Sequence, residues 1–281
     1  MSFDAWIGRE ERRFDAVSDG LLTRWCATLD RPFGEAVPQG VHWCLCLPDA
    51  PTSGLGEDGH PLRDESPDSF LPPVPLPRRM WASSKVDFLK PLPRDAAIER
   101  VSRVVSIKEK TGGSGLLVFV DVEHETRANG IAAVREVQSL VYRAAAPADA
   151  PPAPPPPGDG HFDASAWDAV RTLTPSAPLL FRFSALTFNS HRIHYDLPYA
   201  TGEEGYRGLV VHGPLTATLL LDLARRELGE NALAHFAFRG TSPAICGETL
   251  HLALRHDGET LALGAFARDG RQVMDASAQV A

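Results

Sequence analysis

Cysteine is scarce in this chain. The four in 281 residues, Cys26, Cys44, Cys46 and Cys246, are too few and too irregularly spaced for a disulfide framework or a zinc site. Cys44 and Cys46 alternate in Val41-His42-Trp43-Cys44-Leu45-Cys46-Leu47 and read as ordinary core thiols. Basic residues are also in the minority, 28 against 36 acidic for a net charge of −8, so no global field draws nucleic acid or an anionic membrane. A phosphate-bearing ligand would need a local basic cluster. No apolar run approaches the roughly 20 residues that span a bilayer, and Met1-Ser2-Phe3-Asp4 lacks the basic segment of a secretion signal. The expectation is a soluble, cytoplasmic protein. Also missing are G-x-G-x-x-G, the P-loop, the G-x-S-x-G elbow and a metal-spaced histidine pair on a helix. His191 and His194 are three apart with no third ligand at a convincing spacing, so no metal is expected.

Proline, by contrast, is abundant and divides the chain near its middle. Residues 144–160 hold a run of prolines that favours an extended polyproline II chain, separating residues 1–143 from residues 161–281. The stretch from Asp49 to Pro77, rich in Pro, Gly, Asp and Ser, reads as a long surface loop of the kind that binds or covers a ligand.

Each half carries antiparallel meander material. Gly115–Glu125 and Ala132–Tyr142 alternate as long strands around the Ala128-Asn129-Gly130 turn. Glu248–Arg255, Glu259–Arg268 and Gln272–Val280 repeat the scheme, with turns at Asp257-Gly258 and Asp269-Gly270. Val86-Asp87-Phe88 corresponds to Phe236-Ala237-Phe238, each leading into its meander, which implies two copies of one α+β unit. The strongest helix is Pro214–Leu228. Proline suits its first position, Leu215, Leu219 and Leu223 recur every four residues, and Gly229 stops it. A long helix wrapped by an antiparallel sheet is the hotdog arrangement. Doubled, it predicts two long helices, each wrapped by its own sheet.

Polar chemistry concentrates in Asn189-Ser190-His191-Arg192-Ile193-His194-Tyr195-Asp196, shortly before Val210-Val211-His212-Gly213-Pro214 opens that helix. An imidazole near its ordinary pKa of about 6.5 can take and return a proton at neutral pH. His194 is the candidate base. The Asn189 amide would orient a water or hydroxyl, and the Gly213 N–H, at the positive end of the helix dipole, would meet charge developing on a carbonyl oxygen. Arg78 and Arg79, beside Trp81 at the end of the long loop, are candidates to clamp a carboxylate or phosphate. His191 and His212 flank the catalytic positions, and Arg182, Arg192 and Arg207 are further candidates for a ligand phosphate.

At these residues the chain resembles the MaoC-like hydratases and dehydratases of acyl thioesters, whose motif is Asp-x-Asn-Pro-x-His followed by a helix opening in His-Gly. Asn189 falls on the family aspartate, His191 on its asparagine, His194 on its histidine and Gly213 on its oxyanion-hole glycine. The similarity is greater to the subgroup with mesaconyl-CoA hydratase, itaconyl-CoA hydratase and mitochondrial-type 3-hydroxyacyl-thioester dehydratases. It is carried by Phe70–Ala82, Leu116–His124 and Phe181–Asn189 through Leu215. The resemblance implies an α+β double hotdog whose second copy holds the catalytic residues and whose first shapes the acyl pocket. It also implies hydration of a 2-enoyl-CoA thioester, with coenzyme A entering only as part of the substrate, no cofactor, and Arg78, Arg79, Trp81, His191, Arg192 and His212 contacting substrate. With no aspartate at 189, either His194 suffices or Asp196 supplies the carboxylate. The first copy has no equivalent histidine around Arg24–Pro32, so one active site per chain is expected. Two internal copies form a pseudo-dimer, which leaves a further homo-oligomer open. The alternatives are a hotdog thioesterase and a non-catalytic acyl-thioester binding protein.

Overall fold

The structure, a computed structural model, describes residues 3–112, 115–147 and 149–281; Met1 and Ser2, part of the reading of the N-terminus, and Ala148 in the proline-rich segment lie outside them. The first half builds β1 (Glu10–Ala16), α1 (Asp19–Thr28), β2 (Arg78–Phe88), β3 (Ala97–Gly112), β4 (Gly115–Ala128) and β5 (Ile131–Arg143). The second builds β6 (Ala169–Leu173), α2 (Ala177–Leu186), α3 (Leu197–Gly202), α4 (Gly213–Leu228), β7 (Leu233–Gly240), β8 (Leu250–Asp257), β9 (Thr260–Ala267) and β10 (Gln272–Val280).

All ten strands join one sheet in the order β1-β3-β4-β5-β2-β7-β10-β9-β8-β6. Counted inward from either edge the order is the same, with β1, β3, β4, β5 and β2 matched by β6, β8, β9, β10 and β7. The two copies meet where β2 pairs antiparallel with β7, Val86 opposite Phe236 and Ser84 opposite Phe238. The first three residues of the Val86-Asp87-Phe88 echo therefore sit on the strands that form the seam. Local chemistry explains the regular parts. Asn129 and Gly130 both take positive φ, 49° and 81°, which a two-residue turn between right-twisted strands requires. Ser18 and Ser176 cap α1 and α2 by accepting the N–H of Leu21 and Leu179.

The double hotdog is present, but the expectation of two long helices is corrected. Among the described residues only α4 fills that role, and it is buried on every side from Leu215 to Ala224 rather than along one stripe, because the sheet wraps it. In the first copy the segment between α1 and β2 gives only two 3-10 turns, Val41–Cys44 and Thr52–Gly54, the first at the matching position. The local sequence is nonetheless similar, Val41-His42-Trp43-Cys44-Leu45 against Val211-His212-Gly213-Pro214-Leu215. A helix continuing from Val41 would meet Cys46, whose φ is 53°, and then Pro48, which removes a donor and clashes with the preceding turn. Trp43 instead fills the space, in edge contact with Trp81 and Phe238 across the seam, its indole N–H donating to the buried Glu136.

The long stretch 49–77 has one short 3-10 turn, Thr52–Gly54, and lies against the second half rather than standing in solvent. The Arg192 N–H donates to the Asp58 carbonyl (2.9 Å), the Ser190 hydroxyl to the Gly59 carbonyl (2.5 Å) and the Arg192 guanidinium to the Glu57 carbonyl (3.0 Å). The proline-rich segment also follows the second half, through Ala153 N–H to the Gly205 carbonyl and Gly158 N–H to Asp269. No helix among the described residues is long and apolar enough to cross a membrane.

Candidate active site

Three short pieces of chain build the site. One is the 3-10 turn Arg192–His194, which follows α2 and the exposed Phe188, whose positive φ of 47° reverses the chain. The second is Val210–Gly213, entering α4. They run side by side, with Val210 N–H donating to the Ile193 carbonyl (3.0 Å) and His194 Nδ1 against the Val210 carbonyl (2.7 Å). A carbonyl can only accept, so Nδ1 carries the proton and Nε2 keeps its lone pair. The third piece is the loop at Asp58–His60.

His194 is buried, 7% exposed, and its pKa is held well below the ordinary range, first by burial and then by His212. It is a neutral imidazole with a bare Nε2. His212 lies flat against it, ring centroids 3.5 Å apart at 19°, and exchanges a hydrogen bond of 2.9 Å with the Ser184 hydroxyl through Nε2. Burial pushes His212 down to about 3 as well. The His194 ring also meets His191 edge-on (5.6 Å), and His191 is covered by His60 (4.1 Å). His60 Nδ1 is 2.9 Å from Asp58, and its hydrogen bonds hold the Asp58 carboxyl below its usual range even though burial acts to raise it.

Gly213 is the first residue of α4. No side chain caps this end and Pro214 follows, so the Gly213 N–H meets no capping oxygen, and a Cβ built on Gly213 would touch nothing within 4 Å. The start of α4 is therefore uncapped and open on the side of the missing Cβ, next to the residue that stacks on His194. Asn189 is half-buried; its Oδ1 accepts the His191 N–H (2.9 Å), an Asx turn that leaves the amide NH2 as its donor.

The remaining candidates divide. Asp196 caps α3 through the Tyr199 N–H and is paired with Arg192 (2.7 Å), so it is committed to local structure and is not the missing carboxylate. Arg192 is spent on Asp196 and on the loop carbonyl, and Arg78 on the side chain of Glu204 and the Glu203 carbonyl; neither is a free cation. Trp81 belongs to the seam, donating to Ser84 and packing on Trp43 and Phe238. His212 is 1% exposed and covered on one face by the His194 ring. Arg207 is paired with Glu248, and exposed Arg182 makes a long bond to the Ala27 carbonyl (3.4 Å). Arg79 alone of the arginine pair is without an ion pair or hydrogen bond among the described residues, and it lines a cleft with Asp58, His60 and Arg63. Sequence reasoning missed Asp58, His60 and Arg63. Their one sequence signal is polar residues and glycines inside a loop too long to be a mere connection.

Compared with known proteins, the chain is 40% identical to a mesaconyl-C(4)-CoA hydratase from Chloroflexus aurantiacus, over 98% of this chain and 97% of that one. Among solved structures it is similar to a MaoC-like dehydratase from Phytophthora capsici, at a TM-score of 0.73 and 14% identity, covering 100% and 99% of the two chains. It is also similar to a conserved Mycobacterium tuberculosis protein described as a double hotdog, at a TM-score of 0.59 and 16% identity, covering 98% and 96%. At such identities the structures speak for the fold alone. The model of the family described as hydroxyacyl-thioester dehydratase type 2 matches residues 40–246, spanning the loop, the seam, the Asn189–His194 segment and α4; the chain belongs to that family.

Proposed function

We propose that this protein is a hydro-lyase that reversibly adds water to a 2-enoyl-CoA thioester. The observation that carries the reading is the His194 Nδ1–H held by the Val210 carbonyl, which leaves a bare Nε2 beside the open start of α4. In the hydration direction His194 Nε2 takes a proton from water as the oxygen bonds to the β-carbon. The electron pair of the double bond moves toward the thioester oxygen, where the Gly213 N–H donates to the growing charge. The enolate then collapses, its α-carbon takes the proton back from Nε2, and His194 returns to its neutral form. One water is consumed, and the only reacting groups are water and the residues named.

Asn189 holds the attacking oxygen through its free amide N–H. His191 orders His194 from its edge and His212 from its face. Residues 1–143 and 161–281 act as the two hotdog copies joined by 144–160, the second carrying the chemistry and the first closing the acyl site. The mesaconyl-C(4)-CoA hydratase relative supports a dicarboxylic acyl group among the substrates.

The experiment is a panel of enoyl-CoA esters followed by loss of enoyl-thioester absorbance and a mass gain of one water. Turnover by the wild type and none by His194→Ala, with an unchanged melting profile, is expected. Near-normal turnover in His194→Ala refutes the assignment. Release of free thiol from a saturated acyl-CoA would make the protein a thioesterase, and tight binding without turnover a binding protein.

A further inference from the structure

Arg79 is half-buried on β2 and faces a cleft of about 170 Å³ walled by the long loop of the first copy. Among the described residues it has no carboxylate partner, whereas its neighbour Arg78 is bound to Glu204. Arg63 lines the same cleft. Its guanidinium donates only to backbone carbonyls, those of Val74 (3.0 Å), Leu76 (2.6 Å) and Pro77 (2.7 Å), which fix its position without neutralising it. The one carboxylate in the cleft wall, Asp58, is taken up by His60, which donates its backbone N–H to Oδ1 (2.9 Å) and faces Oδ2 through Nδ1 (2.9 Å). Glu65 nearby is exposed to solvent. Two guanidinium groups thus share a small cleft with one carboxylate, Asp58, which is hydrogen-bonded to His60 and ion-paired to neither arginine; burial and the charge of Arg79 both act against the charge of Arg63, and Asp58 offsets them in part. Guanidinium groups meet carboxylates through paired, charge-assisted hydrogen bonds.

Packed side chains link the cleft wall to the candidate catalytic groups. His60 forms part of its wall and stacks on His191, which touches His194, and Asp58 and Gly59 are bonded through their carbonyls to Arg192 and Ser190. Asp58, His60 and His191 also stand close enough to hold a cation, their ligand atoms lying within 4.8 Å of one another. Arg79 in the same cleft and the guanidinium of Arg78 on the Glu204 that faces His191 oppose a cation there.

We propose that Arg79 and Arg63 bind the free carboxylate of a dicarboxylic enoyl thioester, so that the first copy sets substrate choice while the second performs the addition. The assignment rests on the hydration reading and deepens it. The test compares mesaconyl-CoA with crotonyl-CoA, which lacks the second carboxylate, and reads the ratio of their kcat/KM values. This ratio is insensitive to how much of a variant folds. In Arg79→Gln the ratio should fall at least ~10-fold in disfavour of mesaconyl-CoA, about the 1.4 kcal/mol that a tenfold change represents and within what a charged hydrogen bond contributes. Arg79→Lys should recover part of it, and Arg63→Gln should move the ratio in the same direction. An unchanged ratio, with both substrates losing equally, overturns the proposal and points to a phosphate of coenzyme A as the anion. A wild type that hydrates neither substrate fails the hydration reading instead, which keeps the two failures apart.

Discussion

The imidazole of His194 lies on that of His212, centroids 3.5 Å apart and planes 19° apart, and His212 is in turn tied to the Ser184 hydroxyl on α2. The stack joins the Arg192–His194 turn to the residue before Gly213, so the proposed base and the helix start are held by one contact. Both rings are neutral, because burial makes positive charge unfavourable on either.

In the proposed mechanism His212 is a positioning residue. His212→Ala should lower kcat about 10-fold with little change in KM, since a base held 1 Å astray loses more than binding does. His212→Phe, which keeps a flat ring against His194, should recover part of the loss. Equal kcat for the two variants would show that the stack does not matter.

Asn189 stands where the MaoC-like motif that this segment resembles has aspartate. Its Oδ1 accepts the His191 N–H, so Asn189→Asp keeps the turn but replaces the amide donor with an acceptor. Stability should stay within about 0.5 kcal/mol, as for a substitution that preserves its contacts, and kcat should fall. Asn189→Ala loses both, and should also unfold about 1 kcal/mol more easily in urea. A faster Asn189→Asp enzyme would mean that the asparagine does not hold the nucleophile.

Gly59 has φ +86°, and a Cβ there would stand 2.0 Å from the Ser190 carbonyl oxygen. That atom is rigid backbone, so Gly59→Ala cannot be absorbed by a side-chain shift. The variant should lose more than about 1 kcal/mol and release the loop from the catalytic segment. Protease cleavage within 49–77 that is faster than in the wild type, together with reduced turnover, checks this. Wild-type resistance and rate would contradict it.

Buried histidines govern stability in acid. His42, His124 and His212 are each pushed down to about 3, burial being the largest cause, and His194 lies well below 6.5 for the same reason. The unfolded chain binds these protons near pH 6.5 and the folded chain does not. Stability is therefore lost as pH falls below about 6.5, by up to about 1.4 kcal/mol per pH unit for each group. Glu136 acts oppositely. Burial pushes it up to about 7, so its folded form keeps a proton that the unfolded form sheds above 4.5, and stability declines as pH rises from 4.5 to 7. Four groups outweigh one, and Tm should drop steeply between about pH 6 and 4. A flat profile there would mean that the histidines are solvated.

The sequence by itself determined what neighbours in the chain decide. Alternation marked β4, β5, β8, β9 and β10, the Asn129-Gly130 turn joined the first two, and the proline, leucine spacing and glycine around 214–229 delimited α4. The candidate site segment was legible for the same reason, its asparagine and histidines lying within six consecutive residues. The short β1, β6, α1 and α2 carry weaker patterns and were not read. Tertiary structure decided what depends on residues far apart: the β2–β7 seam, the docking of Asp58 and Gly59 on Ser190 and Arg192, and the proton on His194 Nδ1, set by a carbonyl 16 residues away. It also separated Arg78 from Arg79, which no local pattern distinguishes, because an arginine's role follows from which carboxylate packing brings to it. Strand and helix periods are written in adjacent side chains, while charge compensation and tautomer are written only in the contacts that folding creates.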